Sequence, residues 1–343
     1  MKFSIIMPVY NAEATLAAAL DSLLGESFAD WELVCVDDGS TDGSGAILSE
    51  YSARDRRIRV ITQKNGGASF ARNRALSEMR GEYFFFLDAD DILFSGSLAA
   101  LAEILERTGA DALETNPLFE NFTGTLAPDV RTRLSTGSPR VIESARRKEL
   151  LLDMRIPKGY LAGRVYRTEI FGHLRFTPLL VMMEDNVFWS EAIALPAKWV
   201  IARGAYYGYR IRSESVSHKR DATFYYDTLV APRLIASHTT EALSLTLDEE
   251  RRFWHYFSGI YAGILRAFFI DLKDFPEEIR SELVLEFNRF RRAFRFDPLP
   301  RLTALRAWLF FHGLGTGAWV DRIERPLTRA MNALRSLKRR LGR

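Results

Sequence analysis

The stretch that decides the fold is "YFFFLDADDILF", residues 83–94, in which a run of large apolar side chains meets three carboxylates. The apolar run predicts a β-strand that is buried in a sheet, because it shows no polar alternation. Asp88, Asp90 and Asp91 then bring like charges together where the strand ends. Two explanations fit this stretch by itself: a turn that caps the helix starting near Ser97, or a site for a divalent cation. The rest of the chain has to distinguish them.

The composition describes an ordinary globular protein, with 343 residues of which 47% are hydrophobic and 27% are charged, and the length predicts about two domains. The only cysteine, Cys35, excludes an internal disulfide framework and favours a reducing compartment. Met1 leads into a strand-like run without the basic start and cleavage site of a signal peptide, so none is expected. A net charge of +3 is too small to indicate nucleic acid binding.

Short apolar runs alternate with helical patterns through the first 115 residues. The patterns predict strands at 3–10, 32–38, 58–63 and 83–87, and helices at 12–24, 43–54, 68–79 and 97–108. This alternation predicts an α/β fold with a mostly parallel sheet sandwiched by helices. Right-handed crossovers place the carboxyl ends of parallel strands at one edge, which is where ligands bind in such folds.

Polar clusters fall at that predicted edge, directly after each of the four strands. They are Tyr10-Asn11, Asp37 to Ser40, Asn65 to Gly67, and Asp88 to Asp91. The chain has no G-x-G-x-x-G after its first strand and no G-K-[ST], which argues against a dinucleotide dehydrogenase and a P-loop enzyme. Carboxylates can hold a diphosphate only through a hard cation such as Mg²⁺ or Mn²⁺. The four clusters together favour the cation site over the capping turn.

The second half of the chain has a less regular pattern. The stretch 179–195, "LLVMMEDNVFWSEAIAL", is an apolar run that meets the acid pair Glu184-Asp185 and then begins a helix. Two further strands are predicted close to 198–202 and 205–212, and the pattern from 221 onward is helical.

Five motifs in this order resemble the family 2 glycosyltransferases, which have the A-type glycosyltransferase (GT-A) fold. They are "SIIMPVYNAEATLAAALDSLL", "ELVCVDDGSTDGS", "NGGASFARNRAL", "FLDADD" and "MMEDNVFW". The resemblance implies a catalytic domain over 1–220, with a nucleotide-sugar-binding half at 1–115 and an acceptor-binding half at 116–220. A mainly α-helical C-terminal region, 221–343, would follow it.

The resemblance also implies a set of nucleotide-sugar contacts at the sheet edge. Asp38 or Asp37 would accept a hydrogen bond from the base, although either could instead cap the helix that begins near Asp42. Asp88 and Asp90 match the D-x-D motif of the family and would bind Mn²⁺ or Mg²⁺, while Asp91 would cap the next turn. The remaining expected contacts are Pro8, Tyr10, Glu13, Asn65, Gly66, Arg72 and Ala89, together with His218 in the basic loop 217–220. Arg72 could equally be a surface cation, and the basic loop could equally be a solvated turn.

The family pattern places the catalytic base at Asp185, with Glu184 orienting the substrate or acting as the base itself. A sugar hydroxyl needs such a base because its proton should leave as it attacks the anomeric carbon. An acidic first turn at a helix N-terminus is the structural alternative for this pair. The segment that borders the acceptor in many relatives departs from the family here, since Leu161 to Arg164 read Leu-Ala-Gly-Arg where a tryptophan and a lysine are usual.

The last 22 residues, 322–343, combine a Lys/Arg face with leucine and methionine at three- and four-residue steps. This pattern is typical of a helix on an anionic membrane and equally of a solvated helix that packs on its own domain. For the region 221–343 the expected roles are covering the acceptor cleft, forming a homodimer and docking on the membrane.

The sequence therefore predicts an inverting, metal-dependent glycosyltransferase that uses a nucleotide sugar, with a UDP-sugar as the expected donor. The acceptor would be a hydroxyl of a glycan or a lipid-linked molecule in bacterial surface polysaccharide or lipopolysaccharide synthesis, at the inner face of the cell membrane. Two alternatives stay open. A metal-dependent nucleotidyltransferase would release pyrophosphate and would not need Asp185, and a catalytically degenerate glycan-binding or scaffold subunit would need no base at all.

Overall fold

The computed structural model describes residues 1–115, 118–120, 138–153, 160–202, 204, 206–210, 221–254 and 275–293. The expected loop around His218 and the basic tail 322–343 lie outside the described residues. The chain divides into two compact units. The first comprises Met1–Lys219 and Leu234–Leu245, and the second comprises Arg220–Arg233 and Thr246–Arg343.

Eleven strands and nine labelled helices make up the described secondary structure. The strands are β1 (Phe3–Val9), β2 (Trp31–Asp37), β3 (Ile58–Thr62), β4 (Tyr83–Phe86), β5 (Ile92–Leu93), β6 (Ala112–Glu114), β7 (Leu118–Glu120), β8 (Arg140–Ile142), β9 (Arg164–Arg167), β10 (Trp199–Ile201) and β11 (Tyr207–Arg210). The helices are α1 (Glu13–Leu24), α2 (Ser44–Arg54), α3 (Ala68–Glu78), α4 (Ser97–Thr108), α5 (Lys148–Leu152), α6 (Thr168–Phe171), α7 (Glu184–Ala194), α8 (Ala222–Thr239) and α9 (Glu277–Arg292). Residues 247–254 are helical as well, and Ser144–Arg146 form a 3₁₀ turn.

The strands form an eight-stranded sheet in the order β3-β2-β1-β4-β9-β6-β10-β8 and a three-stranded sheet in the order β5-β11-β7. The first four strands are parallel, as the alternation predicts. Beyond β4 the sheet is mixed, because β9 runs antiparallel to both β4 and β6. The predicted α/β class with a mostly parallel first half is therefore confirmed, and the antiparallel pairs lie beyond β4.

The inner strands are buried on both faces, which explains their uninterrupted apolar sequence. Every residue of β2 is buried, and the β4 side chains are at most 3% exposed. On one face of β4, Phe84 stacks on Tyr166 of β9 at 5.4 Å between ring centroids, and Phe86 meets Phe188 of α7 edge-on at 5.5 Å. Such aromatic pairs add about 0.5–1.5 kcal/mol each beyond their buried area. They fix β4, and thus the acidic turn that follows it, against β9 and α7.

The carboxyl ends of the parallel strands meet at one edge of the sheet. In register, Val9 of β1 lies beside Asp37 of β2, and Asp37 lies beside Thr62 of β3. The loops after β2 and β3 approach closely at Gly39, which has φ 74°, and a Cβ atom at that position would lie 2.9 Å from the Asn65 amide nitrogen. Only glycine accepts both this backbone conformation and this approach.

In the second unit, α9 carries an ionic cluster in which Glu286 pairs with Arg233 at 3.1 Å and also with Arg289. Among the helices that the structure describes, none is long and apolar enough to cross a membrane.

Candidate active site

The turn Asp88–Asp91, which we call the acidic turn, directly follows β4. Its three carboxylates present oxygen atoms that all lie within 4.8 Å of one another. The Asp91 amide donates to the Asp88 carbonyl at 3.0 Å and closes the turn, and the Thr15 hydroxyl of α1 donates to the Ala89 carbonyl at 3.0 Å. Hydrogen bonds of the turn's backbone therefore hold the three carboxylates close together.

Asp91 has a different role from the one expected, since the structure contradicts its prediction as a helix cap. Its side chain is 1% exposed and accepts from the Tyr207 hydroxyl at 2.6 Å and from the Arg210 amide at 2.8 Å. The α4 N-terminus is instead bonded by Glu26, whose carboxylate accepts from the Ser97 amide at 3.1 Å. The contacts to Asp91 come from β11, far along the chain, and sequence reasoning could not see them.

The donor set of the acidic turn fits a divalent metal. Carboxylate oxygens are the ligands that Mg²⁺ and Mn²⁺ prefer, and Asp88 and Asp90 are both partly exposed at the sheet edge. Burial, together with the charges of Asp88 and Asp90, raises the pKa of Asp91 to about 8. A dication between the carboxylates would offset this repulsion. Because both Asp91 oxygens are already bonded, Asp88 and Asp90 are the residues that would hold the metal.

Arg72 of α3 joins the acidic turn to the acid pair at the start of α7. Its guanidinium donates to Asp88 Oδ1 at 2.9 Å and to Glu184 Oε1 at 2.8 Å. The side chain is 8% exposed and lies over the Phe176 ring at 5.3 Å. Arg72 therefore connects two motifs from distant segments. The resemblance implied only a nucleotide-sugar contact for Arg72, and this connection was not predicted.

Asp185 lies in the first turn of α7, and only one of its two carboxylate oxygens is hydrogen-bonded among the described residues. Asp185 Oδ1 accepts from the Asn186 amide at 2.7 Å and from its side-chain amide at 2.8 Å, and Oδ2 has no hydrogen-bond partner among the described residues. Burial raises the pKa of Asp185 to about 7, and the charge of Glu184 raises it too, against the lowering by Asn186 and Arg72. A carboxylate that titrates near neutral pH is well suited to act as a general base.

The backbone enters α7 through a strained residue. Met183 has φ 63° and ψ 10°, a left-handed conformation that costs a residue other than glycine about 1–3 kcal/mol. The apolar run before it is partly exposed, since Leu179 is 66% exposed and Val181 is 62% exposed. Such strain is common at functional sites, and here the strained residue directly precedes Glu184 and Asp185 at the start of α7.

The loops expected at the nucleoside are tied together by Asp38. Asp38 Oδ1 accepts from Gln63 Nε2 at 2.7 Å and from the Gly66 amide at 2.9 Å, and Oδ2 accepts from the Gly67 amide at 2.7 Å. Asp37 accepts from the Ser40 amide at 2.9 Å and closes its own turn. Both carboxylates are buried, so each has a structural role whatever it contacts in a bound nucleotide.

The other expected nucleoside contacts lie at the same edge. Pro8 is partly buried within β1, and the Tyr10 ring just after it is 52% exposed. Glu13 Oε2 accepts from the Gly43 amide at 2.9 Å and so satisfies the start of α2. Asn65 is exposed and belongs to the loop that Asp38 holds. The structure thus brings these residues to one edge and leaves the Tyr10 ring and Asn65 accessible.

The segment that departs from the family pattern forms a buried ion pair. Arg164 of β9 pairs with Glu114 of β6, and both side chains are at most 1% exposed. Its guanidinium also lies over the Trp189 ring of α7 at 5.2 Å. Gly163, with φ 76°, accepts from the Thr115 amide at 2.9 Å and from its hydroxyl at 2.7 Å. In this chain Arg164 therefore supports the helix that carries Asp185.

Comparison with known proteins tests the predicted family and fold. Residues 4–171 match the family described as "Glycosyl transferase family 2". The chain is 31% identical over 221 residues to glycosyltransferase GlyA of Streptococcus pneumoniae, an alignment that covers 63% of this chain and 31% of the relative. It is 44% identical over 96 residues to an Escherichia coli enzyme, UDP-Glc:alpha-D-GlcNAc-diphosphoundecaprenol beta-1,3-glucosyltransferase WfgD, covering 28% of this chain and 37% of that enzyme. The chain thus spans about a third of the length of these two relatives.

Among solved structures, S. aureus TarS in complex with UDP-GlcNAc has the same fold, with a TM-score of 0.62 and 24% sequence identity. The similarity covers 85% of this chain and 81% of that one. This similarity confirms the GT-A fold that the motifs predicted. The five motifs predicted glycosyltransferase family 2, and the family match over residues 4–171 confirms that prediction.

Proposed function

We propose that this protein is an inverting glycosyltransferase that moves a sugar from a nucleotide sugar, with UDP as the expected nucleotide, to an acceptor hydroxyl. Asp88 and Asp90 would hold Mn²⁺ or Mg²⁺ together with the diphosphate of the donor. When bound, the dication neutralises the negative charge of the diphosphate leaving group. Asp185 would be the general base, and Glu184 would orient the substrate.

The residues of the chain account for the remaining steps. The acceptor hydroxyl gives its proton to Asp185 Oδ2 while its oxygen attacks the anomeric carbon, and the bond from that carbon to the diphosphate oxygen breaks. The base and the leaving group must lie on opposite sides of the sugar for inversion. Asp185 on α7 and the acidic turn after β4 come from separate segments, which allows this arrangement. A base that titrates near pH 7 is ionised in a useful fraction at neutral pH.

The observation that carries the proposal is the double contact of Arg72 with Asp88 and Glu184. The residues of the second contact are 112 positions apart in the sequence. A capping turn and an acidic helix start would not need to share one buried cation. A single site that binds an anionic donor at the acidic turn and activates an acceptor beside it accounts for both contacts.

The acceptor class is proposed from the relatives. The E. coli relative is named for transfer to a diphosphoundecaprenol-linked sugar, and a lipid-linked or growing glycan of the bacterial cell surface is the acceptor that we propose here. Work at the inner face of the cell membrane, a homodimer and a role for 221–343 in covering the acceptor stay predictions. A contact of 322–343 with the membrane is also a prediction, and it lies outside the described residues.

The experiment that tests the proposal is calorimetric titration of the full chain with UDP, GDP, CDP and dTDP, each with and without MnCl₂. We expect UDP to bind tightly only with Mn²⁺, and incubation with the matching UDP-sugar and water or acceptor to release UDP. Release of pyrophosphate instead would support the nucleotidyltransferase. Binding without any turnover on a broad panel of UDP-sugars would support the degenerate subunit, and no metal-dependent binding of any nucleotide would overturn the donor site.

A further inference from the structure

Two residues of β11 form hydrogen bonds with the acidic turn, and β11 lies outside the five sequence motifs. The Tyr207 hydroxyl donates to Asp91 Oδ2 at 2.6 Å and accepts from the Asp88 amide at 3.2 Å. Arg210 adds two bonds, from its amide to Asp91 Oδ1 at 2.8 Å and from Nε to the Asp90 carbonyl at 2.8 Å. One short strand thus contacts three of the four residues of the turn.

The Tyr207 hydroxyl occupies a special position because it connects the first and the last residue of the turn. It is bonded at once to the backbone of Asp88 and to the side chain of Asp91, and both Tyr207 and Asp91 are at most 2% exposed. No water can replace these bonds without entering the core. The positions of the Asp88 backbone and of the Asp91 side chain therefore depend on where β11 places this hydroxyl.

The same bonds occupy the carboxylate of Asp91. Its two oxygens are each occupied, one by Tyr207 and one by Arg210. The backbone on the other side of the turn is held by α1, through the Thr15 bond to the Ala89 carbonyl. The turn is therefore fixed between two elements, as expected for a metal site whose supporting contacts orient its ligands.

We propose that Tyr207 and Asp91 are positioning residues, which hold Asp88 and Asp90 in the geometry that a divalent cation and a nucleotide diphosphate require. The inference rests on the proposed function and goes beyond it by assigning the third carboxylate of the turn to orientation rather than to metal binding. Loss of the Tyr207 hydroxyl leaves the Asp88 amide and Asp91 Oδ2 without this buried partner, so the turn relaxes and its carboxylates separate. Partners of this kind typically change metal affinity by roughly 10- to 100-fold.

The test compares Tyr207→Phe with Tyr206→Phe in the full chain. Tyr206 is the adjacent buried tyrosine, 3% exposed, and its hydroxyl makes no hydrogen bond among the described residues. Calorimetry with UDP at increasing MnCl₂ gives the Mn²⁺ concentration for half-maximal UDP binding. We expect this concentration to rise about 10- to 100-fold in Tyr207→Phe and to stay within about twofold of the wild type in Tyr206→Phe. Turnover at saturating Mn²⁺ should recover most of its wild-type kcat.

A second pair of variants separates positioning from direct ligation. Asp91→Asn retains one oxygen acceptor, so the Mn²⁺ requirement should rise less than in Asp88→Asn, which removes a ligand charge. Equal losses in Asp91→Asn and Asp88→Asn would overturn the assignment of Asp91. A folded Tyr207→Phe protein with wild-type Mn²⁺ dependence would overturn the role of Tyr207, and a lowered active fraction without a changed Mn²⁺ requirement would show a merely structural role. If the wild type itself shows no Mn²⁺-dependent UDP binding, the proposed function fails before the variants are compared.

Discussion

Replacing Arg72 with methionine should lower the stability of this protein and shift the pH dependence of the proposed transfer reaction. The change keeps the length and apolar contacts of the side chain but removes the cation that joins Asp88 to Glu184. The Glu184 side chain is 14% exposed, and a hydrogen bond of a charged group there is worth about 1.5–3 kcal/mol. The Asp88 side chain is 37% exposed, so solvent screening reduces that contact to about 0.2–1 kcal/mol.

Together the two contacts predict a loss of about 2–4 kcal/mol in the free energy of unfolding of the metal-free protein. For a unit of this size the loss lowers Tm by roughly 4–16 °C, which differential scanning calorimetry in EDTA would measure. Arg72→Lys is the matched control. It keeps the charge but cannot bridge two carboxylates with one planar fork, so its Tm should lie between those of the wild type and Arg72→Met.

The same substitution should move the pH profile in a defined direction. Arg72 lowers the pKa of Asp185, so without the guanidinium that pKa rises further above its value of about 7. The base must be ionised to act, and the ascending limb of kcat/KM against pH should therefore shift to higher pH in Arg72→Met and less in Arg72→Lys. An Arg72→Met protein with the Tm and the pH profile of the wild type would show that Arg72 does not couple the two motifs.

Three further outcomes follow from burial and charge. In the wild type, kcat/KM measured from pH 5 to 9 should rise with pH to a midpoint near 7, as Asp185 ionises, and then level off; a flat profile would exclude Asp185 as the base. Burial raises the pKa of Glu26 from 4.5 to about 7, so the folded state binds more protons than the unfolded state between these values and stability is lost as pH rises from 4.5 to 7. Relative to the wild type, the free energy of unfolding of Glu26→Gln, measured by urea denaturation, should therefore rise by about 3 kcal/mol between pH 4.5 and 7. A difference that stays constant over this pH range would contradict the raised pKa of Glu26. Glu114→Gln leaves the buried Arg164 charge without its carboxylate and should lower the free energy of unfolding by about 3–5 kcal/mol. The control Glu50→Gln changes an exposed glutamate and should lower it by less than about 0.5 kcal/mol. Equal losses in the two variants would contradict the role of the buried ion pair.

The parallel half of the fold could be predicted because each strand there is a continuous apolar run followed by a helical period. The second half could not, since β6, β8 and β10 have three residues each and carry little pattern of their own. The antiparallel insertion of β9 between β4 and β6 depends on pairing between distant segments. Local sequence contains no information about such a register.

The candidate site shows the same division between local and distant contacts. The Asp88-x-Asp90 pattern and the Glu184-Asp185 pair could be read directly, because each is a short polar signal at the end of an apolar run. The burial of Arg72 had a weaker signal, since it shares a face of α3 with Ala75 and Leu76, which are also buried. Its two acidic partners were not predictable from that face.

The contact between Asp91 and Tyr207 could not be predicted from the sequence. They are 116 positions apart, and Asp91 is next in sequence to a carboxylate with a different role. The choice between a cap, a ligand and a positioning residue was decided by the pairing of β11 with β5, which brings Tyr207 opposite Leu93 and beside the turn.

The central claim is that the acidic turn binds the donor and that Asp185 is the base. Comparing Asp185→Asn with the wild type tests this claim most directly. Binding of UDP with Mn²⁺ is measured by calorimetry, and transfer from a UDP-sugar is measured by UDP release. We predict that the variant binds UDP with an unchanged dissociation constant while its kcat falls by about 10²- to 10⁴-fold, because only the base has been removed. Loss of UDP binding in parallel with transfer, or transfer at the wild-type rate, would contradict the assignment of the base to Asp185 and of the donor to the acidic turn.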